Sequence, residues 1–394
     1  MLTNRQLFLR HVAQTNVAPL MLEIEKAEGV YLYDTNGKSY LDLIAGIAVS
    51  NVGHSHPKVV EAVKQQAEKY MHLMVYGEFV ETPQVKYAER LCQFLPKALD
   101  NVYFTNSGAE ATEGAMKLAK RATGRTQFVS FKQSYHGSTQ GALSVMGNEY
   151  FKQQFRPLLP DTLQLRYNNM EDLAQISCRT AAVILEPVQA ESGVTVPSVD
   201  FMHALRKQCD ETGALLIVDE AQTGLGRTGK MFAFEHYSIE PDILLLAKAF
   251  GGGMPLGAFI SSSDRMKLLT DNPVLGHITT FGGHPVCCAA GLAAFNVLTE
   301  ENRIAEVERK GQLFEKLLVH PKINSVQRKG LMMALTFESF EMNKMIIDKC
   351  IEQGVLTDWF LFAPQCMRIA PPLIITEAQI ETACAVIVKA INDL

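Results

Sequence analysis

The sequence predicts an α/β fold, with a mostly parallel sheet flanked by helices in a large domain and a smaller α/β domain beside it. Two features of the middle of the chain indicate this: short apolar runs alternate with helical stretches, and the runs are too short and too apolar for surface helices. Such runs suit strands buried on both faces of a sheet. They cover residues 101–104, 127–131, 181–185, 215–218, 243–246 and 256–260.

The N-terminal part of the chain shows a hairpin signal and a helix signal. Residues 29–34 contain an alternating strand pattern and are followed by Asn36-Gly37, a pair that favours tight turns between strands. Residues 57–70 have apolar side chains at helical spacing, and Pro57 suits the first turn of a helix. We therefore expect a hairpin followed by a helix.

Helical stretches separate the apolar runs and dominate the end of the chain. Residues 110–123 and 200–212 lie between predicted strands, where a parallel sheet needs crossover helices. The last hundred residues indicate a separate, smaller α/β unit. Its predicted elements are a helix at 285–298, a strand at 331–337 and helices at 342–353 and 377–391.

The composition is that of an enzyme acting on small molecules. The 394 residues are 47% hydrophobic and 20% charged, with a net charge of -5, so the chain lacks the basic field of a nucleic-acid binder. No apolar run approaches the ~18 residues of a membrane helix, and the N-terminus lacks the apolar region of a secretory signal. The eight cysteines include no C-x-x-C pair and are expected to be reduced thiols. We expect a cytoplasmic protein with no nucleic-acid or membrane partner.

Three motifs match known patterns without their required context. Residues 224–229 fit G-x-G-x-x-G, but they do not follow a strand directly and open no helix, as a dinucleotide site requires. Residues 215–220 resemble a Walker B strand, yet Gly37-Lys38-Ser39 lacks the first glycine of a phosphate loop. His54 and His56 lack a nearby carboxylate, so we predict a turn there and no metal site.

Polar residues follow three of the predicted strands. Glu186 ends one strand, Asp219 and Glu220 end another, and Lys248 follows a third. Ligands of open α/β sheets bind at the carboxyl ends of the strands, so an acid and a lysine could meet there. The glycine-rich residues 249–257 allow close packing around Lys248, which would lower its pKa and make it a nucleophile. A buried lysine paired with an acid is the structural alternative.

A possible phosphate site follows the first predicted strand of the sheet. Ser107, Gly108 and Ala109 would place backbone N–H groups and a hydroxyl at the start of a helix. That arrangement binds phosphate readily, although Ser107 could equally be an ordinary helix cap.

Together these residues resemble the class III (subgroup II, ornithine-type) family of pyridoxal-phosphate aminotransferases, over nearly the whole chain. The matching segments are Leu41-Asp42, Gly53-His54-Ser55-His56-Pro57, Asn106-Ser107-Gly108-Ala109-Glu110-Ala111, Tyr135-His136-Gly137, Glu186-Pro187-Val188-Gln189-Ala190-Glu191, Asp219-Glu220-Ala221-Gln222-Thr223-Gly224, Ala247-Lys248, Thr280-Phe281-Gly282-Gly283-His284-Pro285 and Arg368-Ile369-Ala370-Pro371-Pro372-Leu373. The resemblance implies fold type I with a seven-stranded sheet. Residues 50–285 would form the large, cofactor-binding domain, and residues 1–49 would join residues 286–394 in the small domain.

The resemblance also implies roles around the cofactor, pyridoxal 5'-phosphate. Lys248 resembles the lysine that forms a Schiff base with it and then moves the proton. Asp219 looks like the partner of the pyridine nitrogen, whose protonated ring accepts electrons. Gln222 is similar to the residue that contacts the ring hydroxyl, and Tyr135 to the aromatic that stacks on the ring, with His136 beside it.

Further implied roles concern the phosphate and the subunit interface. Ser107, Gly108 and Ala109 correspond to the phosphate loop, and Glu186 to a cofactor-binding acid. Thr280 resembles a threonine that reaches the phosphate of the neighbouring subunit, which implies a homodimer with shared sites.

Two residues resemble a carboxylate switch. Arg368 matches the arginine that holds the α-carboxylate of the substrate by a two-pronged contact. Glu191 matches the acid that pairs with this arginine while an ω-amino donor is bound.

The sequence departs from the family at one substrate position. Ser138 stands where ornithine- and acetylornithine-type members usually carry an arginine for the far carboxylate. Lys132 or Arg166 could replace that charge, or the substrate could lack the carboxylate. Ile47 replaces the tyrosine of ornithine-specific members and favours an acylated or unsubstituted chain, while residues 141–144 are similar to diamine enzymes.

The expected reaction is transfer of a terminal amino group from an amino acid such as acetylornithine or ornithine to a 2-oxo acid such as 2-oxoglutarate. Transfer from 4-aminobutyrate or a diamine of the putrescine type is the alternative. More remote alternatives are a pyridoxal-phosphate aminomutase, an NAD-dependent oxidoreductase and a silent binding protein. The gated pair of Arg368 and Glu191 favours a transaminase, because an aminomutase has no oxo-acid acceptor.

Overall fold

The strands of this computed structural model, which describes residues 2–394, form three sheets. In chain order they are β1 (Ile24–Glu28), β2 (Tyr31–Asp34), β3 (Ser39–Asp42), β4 (Asn101–Thr105), β5 (Gln127–Phe131), β6 (Thr162–Leu165), β7 (Thr180–Leu185), β8 (Leu215–Asp219), β9 (Ile243–Leu246), β10 (Gly257–Ser261), β11 (Ser325–Lys329), β12 (Met332–Thr336), β13 (Val355–Leu356), β14 (Trp359–Phe360) and β15 (Ala363–Ile369).

The helices lie mainly between the strands and at the end of the chain. They are α1 (Asn4–His11), α2 (Ala45–Ala48), α3 (Pro57–Lys69), α4 (Thr82–Cys92), α5 (Gly108–Thr123), α6 (Gln140–Val145), α7 (Val199–Thr212), α8 (Ser263–Met266), α9 (Pro285–Glu300), α10 (Val307–Leu317), α11 (Phe340–Glu352) and α12 (Glu377–Asn392). The predicted helices correspond to α3, α5, α7, α9, α11 and α12, each within three residues at either end. None of the helices in residues 2–394 has the length and hydrophobicity that crossing a membrane requires.

The large sheet has seven strands in the order β4-β10-β9-β8-β7-β5-β6. Only β10 runs antiparallel to its neighbours, which confirms the mostly parallel α/β fold. Six of its strands match the six predicted runs. The seventh, β6, was not predicted because it is a half-buried edge strand without a continuous apolar run.

Alternate residues of the central strands pack on opposite faces of the large sheet. Val183 and Leu185 of β7 belong to one buried cluster, whereas Ala182 and Ile184 belong to another. Both faces are therefore dry and need helices over them, which explains why these strands consist of unbroken apolar residues.

The two ends of the chain meet in a second sheet, and the C-terminal part forms a third. The predicted hairpin is confirmed as β2 and β3, and β3 pairs in parallel with β13. In the third sheet β12 lies between β11 and β15. The sequence did not predict β15, because Pro364 and Gln365 interrupt its apolar pattern.

The glycines at 224–229 form consecutive turns rather than a helix start, and these turns carry a buried arginine. Nη1 of Arg227 donates to the carbonyls of Leu331 (2.9 Å) and Pro371 (2.6 Å), and its Nη2 donates to Oδ1 of Asn51 (2.6 Å). The side chain is fully buried, and burial lowers its pKa to about 9. Arg227 therefore joins the connection between β8 and β9 to the C-terminal part of the chain through hydrogen bonds.

Candidate active site

The carboxyl ends of β7, β8 and β9 carry the predicted chemical residues. These strands are parallel neighbours, so Glu186, Asp219 and Lys248 emerge at one edge of the sheet. Lys248 adopts a left-handed backbone conformation, with φ of 53°. Non-glycine residues in this conformation are uncommon and concentrate at functional sites.

A cavity of about 790 Å³ opens at this edge. It contains most of the residues predicted to hold a cofactor, because α5 begins there and the loop after β5 passes over it. Its lining includes Ser107, Gly108, Ala109, Tyr135, His136, Ser138, Asp219, Lys248 and residues 253–256, the end of the glycine-rich segment. Oγ of Ser107 caps α5 by accepting from the N–H of Glu110 at 3.2 Å.

A buried histidine holds the carboxylate of Asp219. Nδ1 of His136 lies 2.8 Å from Oδ2 of Asp219, and the N–H of Ala221 donates to Oδ1 at 2.9 Å. Both side chains are almost fully buried. Nε2 of His136 has no hydrogen-bond partner among the described residues. The sequence predicted both residues at the site but not this contact between them.

Glu186 lies beneath the cavity and does not line it. Its Oε2 accepts from the N–H of Tyr135 at 3.1 Å, and its Oε1 accepts from that of Ala190 at 3.4 Å. Burial, together with the nearby charge of Asp219, raises the pKa of Glu186 to about 8. The contact with the loop backbone indicates that Glu186 positions Tyr135.

The environment of Lys248 favours its neutral amine. Burial lowers the pKa of Lys248, although Glu191, Asp219 and Glu186 oppose this shift. A lowered pKa makes the neutral form of the amine, which can act as a nucleophile or a base, easier to reach.

A second cavity, of about 550 Å³, adjoins the first. Both are lined by Tyr135 and Lys248, so these two residues mark the junction. The rest of the second cavity combines an apolar wall with the predicted carboxylate switch. Its lining is Asn16, Leu20, Gly46, Ile47, Tyr135, Glu191, Lys248, Thr357, Asp358, Trp359, Leu361 and Arg368.

The predicted switch forms a closed ion pair. Nη1 and Nη2 of Arg368 each donate to Glu191, at 3.0 Å in both cases. Burial opposes ionisation of Glu191, but Arg368 outweighs it and lowers the pKa of Glu191 to about 2. The amide of Gln222 joins the pair, since its Oε1 accepts from Arg368 at 3.1 Å and its Nε2 donates to Glu191 at 3.2 Å.

Arg368 has a second carboxylate partner that sequence reasoning missed. Nε of Arg368 donates to Oδ1 of Asp358 at 2.9 Å, and the guanidinium lies over the ring of Phe360, 4.3 Å from its centroid. Burial raises the pKa of Asp358, although Arg368 opposes the rise. No pattern around Asp358 indicates this contact, because the two-residue strand β14 and the interrupted strand β15 carry no clear sequence signal.

The two specificity residues lie in different cavities. Oγ of Ser138 is 3.1 Å from the phenolic oxygen of Tyr135 in the first cavity. Ile47 contributes to the second cavity and is 39% exposed. Its backbone belongs to a left-handed turn, in which residues 45–48 all have φ between 51° and 63°.

Three residues considered from the sequence lie away from both cavities. Thr280 is exposed, and its carbonyl accepts from Nε2 of His72 at 2.8 Å. Lys132 is exposed, and Arg166 pairs with Asp172 at 2.7 Å. Neither Lys132 nor Arg166 replaces the arginine missing at Ser138 within one subunit.

These residues fit pyridoxal phosphate. The first cavity combines a helix start for a phosphate, a carboxylate for a pyridine nitrogen and an aromatic ring for stacking. Lys248 stands at its junction with the second cavity, where a substrate amine could enter. The donor set therefore has the character that this cofactor needs.

Comparison with known proteins agrees with the site. The pattern of the family described as "Aminotransferase class-III" matches residues 12–391. The acetylornithine aminotransferase of Methanopyrus kandleri is 42% identical over 93% of this chain and 93% of its own. That of Archaeoglobus fulgidus is 40% identical over 96% and 98%.

Solved structures show the same fold. The ornithine aminotransferase of Toxoplasma gondii, whose structure is described as having partial occupancy of PLP at its active site, superposes with a TM-score of 0.91. It is 30% identical, with 99% of this chain and 94% of that one covered. On these grounds the chain belongs to the class III aminotransferases, and it is a pyridoxal-phosphate-dependent enzyme that transfers an ω-amino group between a small-molecule donor and a 2-oxo acid.

Proposed function

We propose that the donor is an N-acylated ornithine, such as acetylornithine, and that the acceptor is 2-oxoglutarate. The relatives named above carry the name of this activity. The apolar Ile47 at the second cavity suits an acylated chain better than a free α-ammonium group, which would need a polar partner.

The closed pair of Arg368 and Glu191 beside Lys248 is the observation that carries this proposal. While Glu191 occupies both terminal nitrogens of Arg368, a donor must present its terminal amine to Lys248 without a carboxylate at Arg368. When Glu191 moves aside, the same nitrogens can hold the α-carboxylate of the 2-oxo acid. One site would thus accept two differently shaped substrates in turn.

The remaining residues would hold the cofactor and move the proton. Ser107, Gly108 and Ala109 would bind the phosphate, Tyr135 would cover the ring, Gln222 would face its hydroxyl, and Asp219 would hold its nitrogen. When bound, pyridoxal phosphate supplies an electron-accepting ring that stabilises negative charge on the reacting carbon. Nζ of Lys248 would take the proton from the substrate carbon that bears the amino group. It would then donate this proton to the cofactor carbon that takes up the nitrogen.

A donor panel tests the substrate. Acetylornithine, succinylornithine, ornithine, 4-aminobutyrate, putrescine and lysine would each be assayed with 2-oxoglutarate and with pyruvate. We expect the acylated ornithines to have the highest kcat/KM. A preference for putrescine or 4-aminobutyrate would contradict the proposal and favour the alternative.

Ser138 offers a direct test of acceptor and donor binding. Among residues 2–394, only Lys248 and Arg368 bring lysine or arginine side chains to the two cavities, so the far carboxylate would meet the hydroxyls of Ser138 and Tyr135. Ser138→Arg is expected to lower the KM for 2-oxoglutarate. An unchanged KM would show that this position does not contact the acceptor.

We also propose a homodimer, in which Thr280 reaches the phosphate of the neighbouring subunit. Thr280 lies outside both cavities of its own subunit and beside exposed apolar side chains. Phe281 follows Thr280 in the chain and lies 4.7 Å from the ring of His72, and Met71 precedes His72; both Met71 and Phe281 are exposed. Exposed apolar patches of this kind mark interaction sites. A cytoplasmic location remains part of the proposal.

Hybrid dimers test the shared site. In a hybrid dimer, a Lys248→Ala subunit is paired with a Thr280→Val subunit. If the sites are shared, one of them combines the intact Lys248 of the Thr280→Val subunit with the intact Thr280 of the Lys248→Ala subunit. We expect this hybrid to bind cofactor at one site as tightly as the wild type. If Thr280 served its own subunit, the hybrid would have no intact site, and a monomer in light scattering would exclude the proposal.

A further inference from the structure

Arg368 is held from two directions by two carboxylates. Glu191 accepts from both terminal nitrogens, Nη1 and Nη2, whereas Asp358 accepts from Nε alone. The ring of Phe360 lies against the flat face of the guanidinium. A substrate carboxylate that binds in the two-pronged manner would compete with Glu191 for the terminal nitrogens and leave the contact with Asp358 intact.

The two carboxylates differ in how they are attached to the chain. Glu191 lies in the connection after β7, on a different element from Arg368. Asp358 precedes β14 and faces β15, where the N–H of Arg368 donates to the carbonyl of Asp358 at 2.9 Å. The hydroxyl of Thr357 donates to the carbonyl of Arg368 at 2.6 Å. Asp358 is therefore fixed to the same pair of strands as Arg368.

We propose that Asp358 is a positioning residue that keeps the terminal nitrogens of Arg368 turned towards the substrate cavity after Glu191 has moved away. This inference rests on the proposed function, in which Arg368 holds the α-carboxylate of the 2-oxo acid. A guanidinium that is already anchored at Nε and stacked on Phe360 loses less conformational freedom when it binds a carboxylate.

The charge balance around Arg368 agrees with this role. In the closed state one guanidinium faces two carboxylates, from Glu191 and Asp358. When a substrate carboxylate takes the place of Glu191, the number of carboxylates around Arg368 does not change. Replacement of Glu191 by the substrate carboxylate therefore leaves the net charge around Arg368 unchanged, and Asp358 pairs with Arg368 in both states.

Separate measurement of the two half-reactions tests the inference. The absorbance of the cofactor would be followed in stopped flow, first with enzyme loaded with pyridoxal phosphate and acetylornithine, and then with enzyme loaded with pyridoxamine phosphate and 2-oxoglutarate. Asp358→Ala is expected to raise the apparent dissociation constant of 2-oxoglutarate about 10-fold, the loss typical of a charge-assisted hydrogen bond, with a limiting rate within about twofold of wild type. The acetylornithine half-reaction should change less than about twofold.

Two further variants separate positioning from a merely structural effect. Asp358→Asn keeps an acceptor for Nε and should restore part of the affinity, whereas Asp348→Ala removes a carboxylate paired with Lys344 on α11 and should leave both half-reactions unchanged. If Asp358→Ala and Asp358→Asn both weakened the binding of acetylornithine as much as that of 2-oxoglutarate, the effect would be structural and the inference would be overturned. An unchanged or lowered constant for 2-oxoglutarate would overturn it as well.

Arg368→Gln distinguishes failure of this inference from failure of the proposed function. If Arg368→Gln weakens 2-oxoglutarate binding and Asp358→Ala does not, Arg368 binds the acceptor without help from Asp358. If Arg368→Gln leaves the binding of 2-oxoglutarate unchanged, the role of Arg368 in the proposed function is wrong, and the inference fails with it.

Discussion

Individual residues near the strand ends hold the predicted catalytic groups in place, and His136 gives the first prediction. Its Nδ1 is the buried partner of Asp219. Loss of this contact in His136→Ala would leave the carboxylate free to move and to pair less well with a pyridine nitrogen. We expect the cofactor to bind about 10-fold more weakly, as measured by titration of the cofactor-free enzyme. His320→Ala, at a half-buried position that lines neither cavity, serves as the control, and equal affinity in both variants would contradict the prediction.

Glu186 gives a prediction of pH dependence. In the folded, cofactor-free enzyme its pKa is about 8, above the ordinary value near 4.5, because burial disfavours the charge. Between these two values the unfolded chain has released the proton while the folded enzyme retains it, so stability falls as the pH rises. Glu186→Gln removes the titrating group and, with it, this fall in stability at higher pH.

Thermal unfolding of the cofactor-free enzyme at several pH values tests that prediction. The wild type should lose on the order of 3 kcal/mol relative to Glu186→Gln between about pH 5 and pH 8. Parallel curves for the two proteins across this range would show that Glu186 titrates normally.

Residue identities could be predicted from the sequence better than residue contacts. Glu186, Asp219 and Lys248 follow apolar runs, so their meeting at one sheet edge follows from the parallel fold. The contact between His136 and Asp219 joins residues far apart in the chain, and Asp358 meets Arg368 through strands without a clear pattern. No local signal indicates which side chains will touch after folding.

At the scale of elements, the left-handed turn formed by residues 45–48 holds Ile47 at the second cavity. A β-branched residue is strained in this conformation, whereas glycine adopts it freely. Ile47→Gly is therefore expected to lose about 1 kcal/mol less stability than a similarly exposed isoleucine replaced by glycine in extended backbone, because relief of the strain offsets part of the lost packing. The KM of the donor should rise in the same variant.

Ile24→Gly is the matched control for this turn. Ile24 is 40% exposed, like Ile47, but lies in β1. Glycine in a strand costs roughly 0.5–1 kcal/mol, so this variant should be less stable than the wild type in urea unfolding. Similar losses in both variants would show that Ile47 is not strained.

The elements with long apolar patterns followed from the sequence, whereas short or half-buried elements did not. The strands of the large sheet were predicted to within a residue or so, since burial on both faces requires continuous apolar runs. The half-buried edge strand β6 lacks such a run and was missed, as were the strands β1, β11, β13, β14 and β15 and the helices α1, α4, α6 and α10. The left-handed turn carries only one glycine, so composition gave no sign of it.

At the scale of the whole molecule, Arg227 joins the large sheet to the strands that carry the carboxylate switch. Leu331 precedes β12, and Pro371 follows β15, so one buried guanidinium binds the ends of two paired strands. Arg227→Ala would leave three buried acceptors without a donor. We expect it to lower the free energy of unfolding by about 3 kcal/mol or more in urea titration.

A surface arginine provides the comparison for Arg227. Arg309 pairs with Glu306 and Glu377 at the surface. Exposed ion pairs contribute about 0–1 kcal/mol, so Arg309→Ala should be close to the wild type in stability. Losses of similar size in both variants would show that Arg227 does not hold the two parts together.

The division of the chain at residues 49/50 and 285/286 stays a prediction, as does the homodimer. Pairing of β3 with β13 supports joining the N-terminal segment to the C-terminal part. Subunit contacts depend on a second chain and leave in one sequence only indirect traces, such as the exposed position of Thr280.

The most direct test of the account concerns the amine at the end of β9. The enzyme, purified with pyridoxal phosphate, would be reduced with borohydride, digested and mapped by mass spectrometry. We expect a yellow protein with a single cofactor adduct on Lys248, and no adduct in Lys248→Ala. A colourless wild type, or an adduct on a different lysine, would contradict it.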